Sequence, residues 1–180
     1  QAMNELMRGQ IHMAPFKSIM ILGIAGGNGL EHINLKTTDF VYGVDVNKEY
    51  LQACLQRYPE LEGVFIPLSI DLCGENYTLP KSELLIANLL LEYIGYAAFQ
   101  RTLRKVQPER VSCVIQINTG REFVSESPYE ASFSGLSAVH HQMEEEELVA
   151  RMKEEQYEAC YQEQIPLPNG KTLTRMDFQR

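Results

Sequence analysis

Residues 18–33, SIMILGIAGGNGLEHI, constrain the fold more than any other stretch. After Ser18 the run is apolar and has no water-facing side. Such a run suits a strand of a parallel sheet covered on both faces. Gly26, Gly27 and Gly29 follow it, and small residues there let backbone turn sharply and approach a ligand closely.

The same alternation recurs along the chain. The first strand is predicted at 18–24, a short helix from Gly29 to Lys36, and a second strand at 40–45, FVYGVD. Asn47 is a good N-cap for a helix whose Leu51, Cys54, Leu55 and Tyr58 share a face, and Pro59 ends it. Strands three and four are expected within 62–68, EGVFIPL, and at 83–88, ELLIAN. Tyr93, Ile94, Ala97, Ala98 and Leu103 then give helical spacing before Pro108, and a fifth strand covers 111–117. Strands alternating with helical or loop segments predict an α/β domain with a doubly wound parallel sheet. Right-handed crossovers place the loops after the strands along one edge, where such sheets bind ligands.

Residues 118–143 break this rhythm and read as a functional or mobile loop. Glu144 to Glu147 open a last helix that runs to about Glu155. Four glutamates in a row suit a metal or a basic partner. The plainer reading is preferred: acids in a first turn favour the helix dipole and face solvent. The tail changes character, with YEACYQEQI at 157–165 and KTLTRMDF at 171–178 around a PLPNG turn. Asn169-Gly170 marks an antiparallel hairpin, so the sheet is expected to be seven-stranded and mostly parallel, closed by that C-terminal hairpin.

At 180 residues the chain suits one domain, taken as 16–180 after an N-terminal segment at 1–15. The opening Gln1-Ala2-Met3 is read as two added residues before a natural Met3. The formal charge is −8, and no basic stripe meets the need of a nucleic-acid partner. Arg101, Arg104, Lys105 and Arg110 read instead as a solvated helix face and its end. No apolar run approaches the roughly 18 residues of a membrane span, and no secretory pattern opens the chain. Cys54, Cys73, Cys113 and Cys160 form no CxxC and have no His at a ligand interval. They read as buried, reduced thiols of a cytoplasmic protein, and no metal site is expected.

Two phosphate-binding patterns fail at the glycines. No Lys-Ser or Lys-Thr follows them as a P-loop requires. From Gly27, the third position of the dinucleotide fingerprint is His32; from Gly23, its second and third positions are Ala25 and Asn28. What remains is a tight turn whose helix start offers N–H groups to a carboxylate. Asp45 ends the second strand about 20 residues further on, where an acid in nucleotide-binding α/β domains accepts from both ribose hydroxyls. The plain alternative is that Asp45 only initiates the helix of Asn47.

Together these residues resemble the class I S-adenosylmethionine-dependent methyltransferases over about residues 16 to 178. ILGIAGGNG stands at the family's first motif, VYGVDV at its ribose-binding acid, LLIANLLLEYI at its fourth-strand motif, and the closing hairpin at its sixth and seventh strands. The family often has an acid where this chain has Gly23, and glycine where it has Ala25. The resemblance implies the class I methyltransferase fold and S-adenosylmethionine as cofactor. It implies that Gly23, Ala25, Gly27 and Gly29 line the methionine part. Asp45 would bind the ribose with Val46 against the adenine, and Asp71 the adenine amino group with Leu72 beside the ring. Asn88 would present its backbone to the ammonium. Family members commonly carry capping helices before the first strand. With only about 17 residues there, three readings stand: an open pocket, a pocket covered by a second copy in a homodimer, or a trimmed N-terminus.

Methyl transfer from a sulfonium is a direct displacement, and the protein aligns the nucleophile. Candidates for proton removal follow strands four and five: Glu92 and Tyr93, then Tyr129, His140 and His141 in the irregular segment. Glu92 also reads as a first-turn acid, Tyr93 and Tyr96 as packing residues, and the histidines as solvated. The acceptor is unidentified, with a small molecule favoured by the acidic charge. Two other classes stay open: an NAD- or nucleotide-sugar-linked enzyme, and a non-catalytic binding or assembly module.

Overall fold

The computed structural model describes residues 1–118 and 144–180. Its elements run α1 (Ala2–Ile11), β1 (Ser18–Leu22), β2 (Phe40–Asp45), α2 (Lys48–Arg57), β3 (Phe65–Ser69), β4 (Leu84–Asn88), α3 (Leu91–Val106), β5 (Arg110–Asn118), α4 (Glu145–Glu154), β6 (Glu158–Pro166) and β7 (Lys171–Gln179). The strands form one sheet in the order β3-β2-β1-β4-β5-β7-β6. Pairs from β3 through β5 are parallel, and β7 joins β5 and β6 antiparallel. The expected mixed sheet and its hairpin are both present.

Side-chain alternation divides the core into two layers. Met20, Leu22, Leu85, Ala87, Val111, Cys113 and Met176 meet Phe99 and Leu103 of α3 and Leu148 and Met152 of α4. On the other face, Ile19, Ile21, Val41, Leu84 and Ile86 meet Met7 and Ile11 of α1 and Leu51 and Cys54 of α2. Leu6 of α1 continues that layer onto Val114 and Leu173.

α1 lies in the segment set apart as N-terminal, residues 1–15. Its Leu6, Met7, Gln10 and Ile11 are buried. One of those four is a glutamine, which hides the helical stripe from a reading by hydropathy. Gly9 sits in the helix interior, where glycine costs roughly 1 kcal/mol against alanine. Here it serves a close approach: a Cβ would stand 2.5 Å from Nη1 of Arg175 on β7.

Of the four cysteines expected to be buried, Cys54 and Cys113 are, whereas Cys73 and Cys160 are exposed. Three further local expectations are corrected. The helix from Gly29 to Lys36 is only a 3-10 turn, Leu30–His32. Asn34 follows it: its Oδ1 accepts from Lys36 N–H, a side-chain bond that competes with helix, while its carbonyl accepts from Thr37 and Thr38 N–H in a single turn. The helix after β4 is broken at Gly95, with φ 71° and ψ 166°. The break shifts the phase, so Tyr93 and Ala97 face solvent while Ala98 and Leu103 are buried. On α2, Leu55 falls off the edge of the apolar stripe and is 38% exposed. Asn47 caps α2 as expected, its side chain accepting from Glu49 N–H.

Because α1 covers the sheet with a buried leucine, Leu6→Ala should lower stability by about 2–5 kcal/mol. Urea denaturation checks this, and an unchanged midpoint would mean that α1 is not docked.

Candidate functional site

β1 runs into the glycine segment without losing contact with β2. The N–H groups of Gly23 and Ile24 both donate to the Val44 carbonyl, at 2.8 and 3.2 Å. Every second residue then takes positive φ: Gly23 at 65°, Ala25 at 47°, Gly27 at 76° and Gly29 at 90°. Crowding enforces glycine at both ends. A Cβ on Gly23 would lie 2.9 Å from Leu90 Cδ1, and one on Gly29 2.7 Å from Met7 Cβ. Ala25 holds its left-handed conformation without glycine's freedom, at a cost of roughly 1–2 kcal/mol.

Asp45 stabilises that turn. Its Oδ2 accepts from Ala25 N–H at 2.9 Å and its Oδ1 from Asn47 N–H at 2.9 Å. The acid therefore joins the glycine segment to the start of α2, and it caps as well as faces the turn. Each oxygen keeps lone-pair capacity beyond its backbone donor, so a diol has two acceptors on one fixed carboxylate. Val46 beside it is 54% exposed, an apolar surface at the end of β2.

The neighbouring strand ends lie in register. Leu22 pairs with Val44 and Ala87, and Asp45 pairs with Ser69. Gly23, Asp45, Asp71 and Asn88 thus share one edge of the sheet. Asp71 Oδ1 accepts from Cys73 N–H at 2.9 Å and shapes the loop after β3. Leu72 is buried in the α3 layer, while Arg101 donates to its carbonyl and to that of Cys73. Beside them a groove of about 900 Å³ is lined by Ser69, Ile70, Asp71, Tyr77 and Lys105, among others. Asn88 and Gln10 form a reciprocal amide pair, with both bonds at 2.8 Å.

The acid–base candidates separate. Glu92 is buried and its Oε1 accepts from Gln116 N–H at 3.0 Å, bracing α3 against β5. Tyr93 is 46% exposed. Tyr129, His140 and His141 lie outside the described residues. Among the described residues no group of His, Cys, Asp and Glu is arranged to hold a metal. No helix among them is long and apolar enough to cross a membrane.

Sequence reasoning missed the clamp that α1 places on the glycine segment. Asn4 Nδ2 donates to Asn28 Oδ1 at 2.9 Å and to Glu31 Oε1 at 2.6 Å, and His32 Nε2 donates to Asn4 Oδ1 at 2.8 Å. Glu31 also accepts from Gly29 N–H and from the Tyr58 hydroxyl, each at 3.0 Å. Burial raises the Glu31 carboxyl, but hydrogen bonds from its own backbone, Asn4 and Tyr58 outweigh it and leave the group below its usual range. Burial, then the bond to Glu31, push the Tyr58 hydroxyl up to about 12. Under the turn, the Cys54 thiol donates to the Ala25 carbonyl at 3.3 Å. Burial, with the Asp45 charge adding to it, pushes that thiol up to about 11. It is therefore a neutral packing group at neutral pH. The signal that marks α1 is the spacing of Leu6, Met7, Gln10 and Ile11, read with glutamine allowed as a core residue.

No protein-family model matches the chain, and no curated protein matches it in sequence. Solved structures do. The chain is similar over 99% of its length to the N-methyltransferase NodS from Bradyrhizobium japonicum WM9, covering 94% of that chain at 12% identity with a TM-score of 0.72. A geranyl diphosphate methyltransferase in complex with SAM is matched over 99% of this chain and 84% of that one, at 11% identity with a TM-score of 0.73. The [4+2]-cyclase SpnF is matched over 99% and 80%, at 10% identity with a TM-score of 0.71. The fold is that of the class I methyltransferases.

The strained turn yields a direct check. Ala25→Gly relieves the left-handed penalty and should raise stability by up to about 1 kcal/mol, after glycine's unfolded-state entropy is subtracted. Thermal unfolding measures it, and a fall in midpoint would mean that the Ala25 methyl is packed rather than strained.

Proposed function

We propose that this chain is an S-adenosylmethionine-dependent methyltransferase acting on a small-molecule acceptor. The observation that carries the reading is Asp45, a carboxylate fixed by two backbone N–H groups at the lip of a turn with four positive-φ residues. In this reading Asp45 accepts from both ribose hydroxyls and Val46 covers one face of the adenine. Gly23, Ala25, Gly27 and Gly29 admit the methionine part, and Asp71 and Leu72 close the adenine side. The backbone of Asn88 meets the ammonium.

The bound sulfonium supplies an activated methyl group that an acceptor displaces directly. The chain's own work is alignment and exclusion of water. Glu92, committed to Gln116 N–H, keeps the start of α3 in place. Tyr93 is the more open of the two and is assigned to the acceptor side. Support for a small acceptor comes from the acidic charge and from similarity to a geranyl diphosphate methyltransferase.

A second reading is a cofactor-holding module without methyl transfer. Gly23 in place of the family's frequent acid favours it, as does the likeness to SpnF, which is named as a cyclase. Fold alone does not choose between them.

Calorimetric titration with S-adenosylmethionine, S-adenosylhomocysteine and NAD tests the cofactor. The first two are expected to bind with micromolar Kd and NAD far more weakly. Asp45→Ala should weaken both by on the order of tenfold or more, as loss of a charged hydrogen-bond acceptor does. Absence of binding by the unaltered chain would overturn the reading.

A further inference from the structure

The face of the sheet under α1 contains a buried polar line among apolar side chains. Arg175 and Asp177, two residues apart on β7, point to that face. Their side chains are 6% and 4% exposed. Arg175 grips Asp177 with two bonds, Nε to Oδ1 at 3.0 Å and Nη2 to Oδ2 at 2.6 Å, and also donates to the Gly9 carbonyl of α1. Ser112 pairs with Asp177 across β5 and β7, and its hydroxyl donates to Oδ1. Gln10 Nε2 donates to Ser112 Oγ at 2.8 Å and to Asn88 Oδ1 at 2.8 Å, while Asn88 Nδ2 donates back to Gln10 Oε1.

The polarity of this line is fixed at one end. A carboxylate only accepts, so the single Ser112 proton points to Asp177. Ser112 Oγ must then accept from Gln10, which sets the Gln10 amide. That amide in turn sets the Asn88 amide, because a reciprocal pair needs oxygen opposite nitrogen at both contacts. Without the charge, each amide would have two orientations of similar energy.

We propose that Asp177, acting through Ser112 and Gln10, is a positioning residue for Asn88. It fixes the terminus of β4, and with it the amino-acid end of the cofactor site, without touching the ligand. This rests on the function proposed above. The relay ends at β4, and β1 separates it from Asp45 at the end of β2, which is assigned to the ribose, so its effect should divide along the ligand.

The test compares two probes on one variant. S-adenosylhomocysteine carries the amino-acid end, and 5′-methylthioadenosine lacks it. Ser112→Ala removes the relay proton and leaves the Arg175–Asp177 pair intact. It should weaken S-adenosylhomocysteine by about fivefold or more while 5′-methylthioadenosine changes by less than about twofold. Ser112→Thr, which keeps the hydroxyl, should retain affinity for both. Equal loss for both probes, or no loss, would overturn the relay while leaving the cofactor reading standing. Failure of the unaltered chain to bind S-adenosylhomocysteine would overturn the cofactor reading and the relay with it.

Discussion

A parallel strand buried on both faces must be covered on both, and here the first crossover cannot supply the cover. Between β1 and β2 the chain forms only one 3-10 helix, Leu30–His32, followed by a turn in which the Asn34 side chain takes the Lys36 N–H. The face of β1, β4, β5 and β7 would otherwise meet water along Ile19, Ile21, Ile86 and Val114. α1, which precedes the sheet in sequence, fills that place. Most of what is particular to this molecule follows from that substitution.

A covering helix that lies against the glycine turn also restrains it. Met7 sits where only Gly29 leaves room, and Asn4 ties Asn28, Glu31 and His32 together. The turn is thus held from two sides, by α1 above and by Asp45 at its other flank. Four residues with positive φ would make a loose loop if left alone. Held this way, they present backbone at a fixed height over the strand ends. Preorganisation of this kind spares a ligand the entropy of ordering its site.

The strands were legible because their signals are local. FVYGVD and ELLIAN read as buried strands from a handful of adjacent residues, and β2 begins and ends where its pattern does. The hairpin was legible from Asn169-Gly170. In the candidate site, the glycines and Asp45 could be found because turn chemistry and a strand-end acid are likewise local. α1 escaped because its stripe includes Gln10, whose burial makes sense only beside Asn88 and Ser112, 78 and 102 residues away. The break at Gly95 escaped because glycine inside a helical pattern does not declare its φ. Partners that meet only in the folded state leave no periodicity to read.

The polar line under α1 raises a question of energetics. A buried ion pair costs several kcal/mol of desolvation per ion, and apolar residues of the same shape often stabilise a protein as well or better. Arg175 and Asp177 are therefore poorly explained as stabilisers of the hairpin. What apolar side chains could not supply is direction. A hydrophobic patch under α1 would leave the Gln10 and Asn88 amides without a fixed sense, whereas a carboxylate imposes one through a single hydroxyl. Its charge is matched by Arg175, and every link between it and Asn88 carries a hydrogen bond. A half-satisfied line would be worse than an apolar core. Completeness of the line is what makes a charge tolerable here, and orientation at the end of β4 is what it provides.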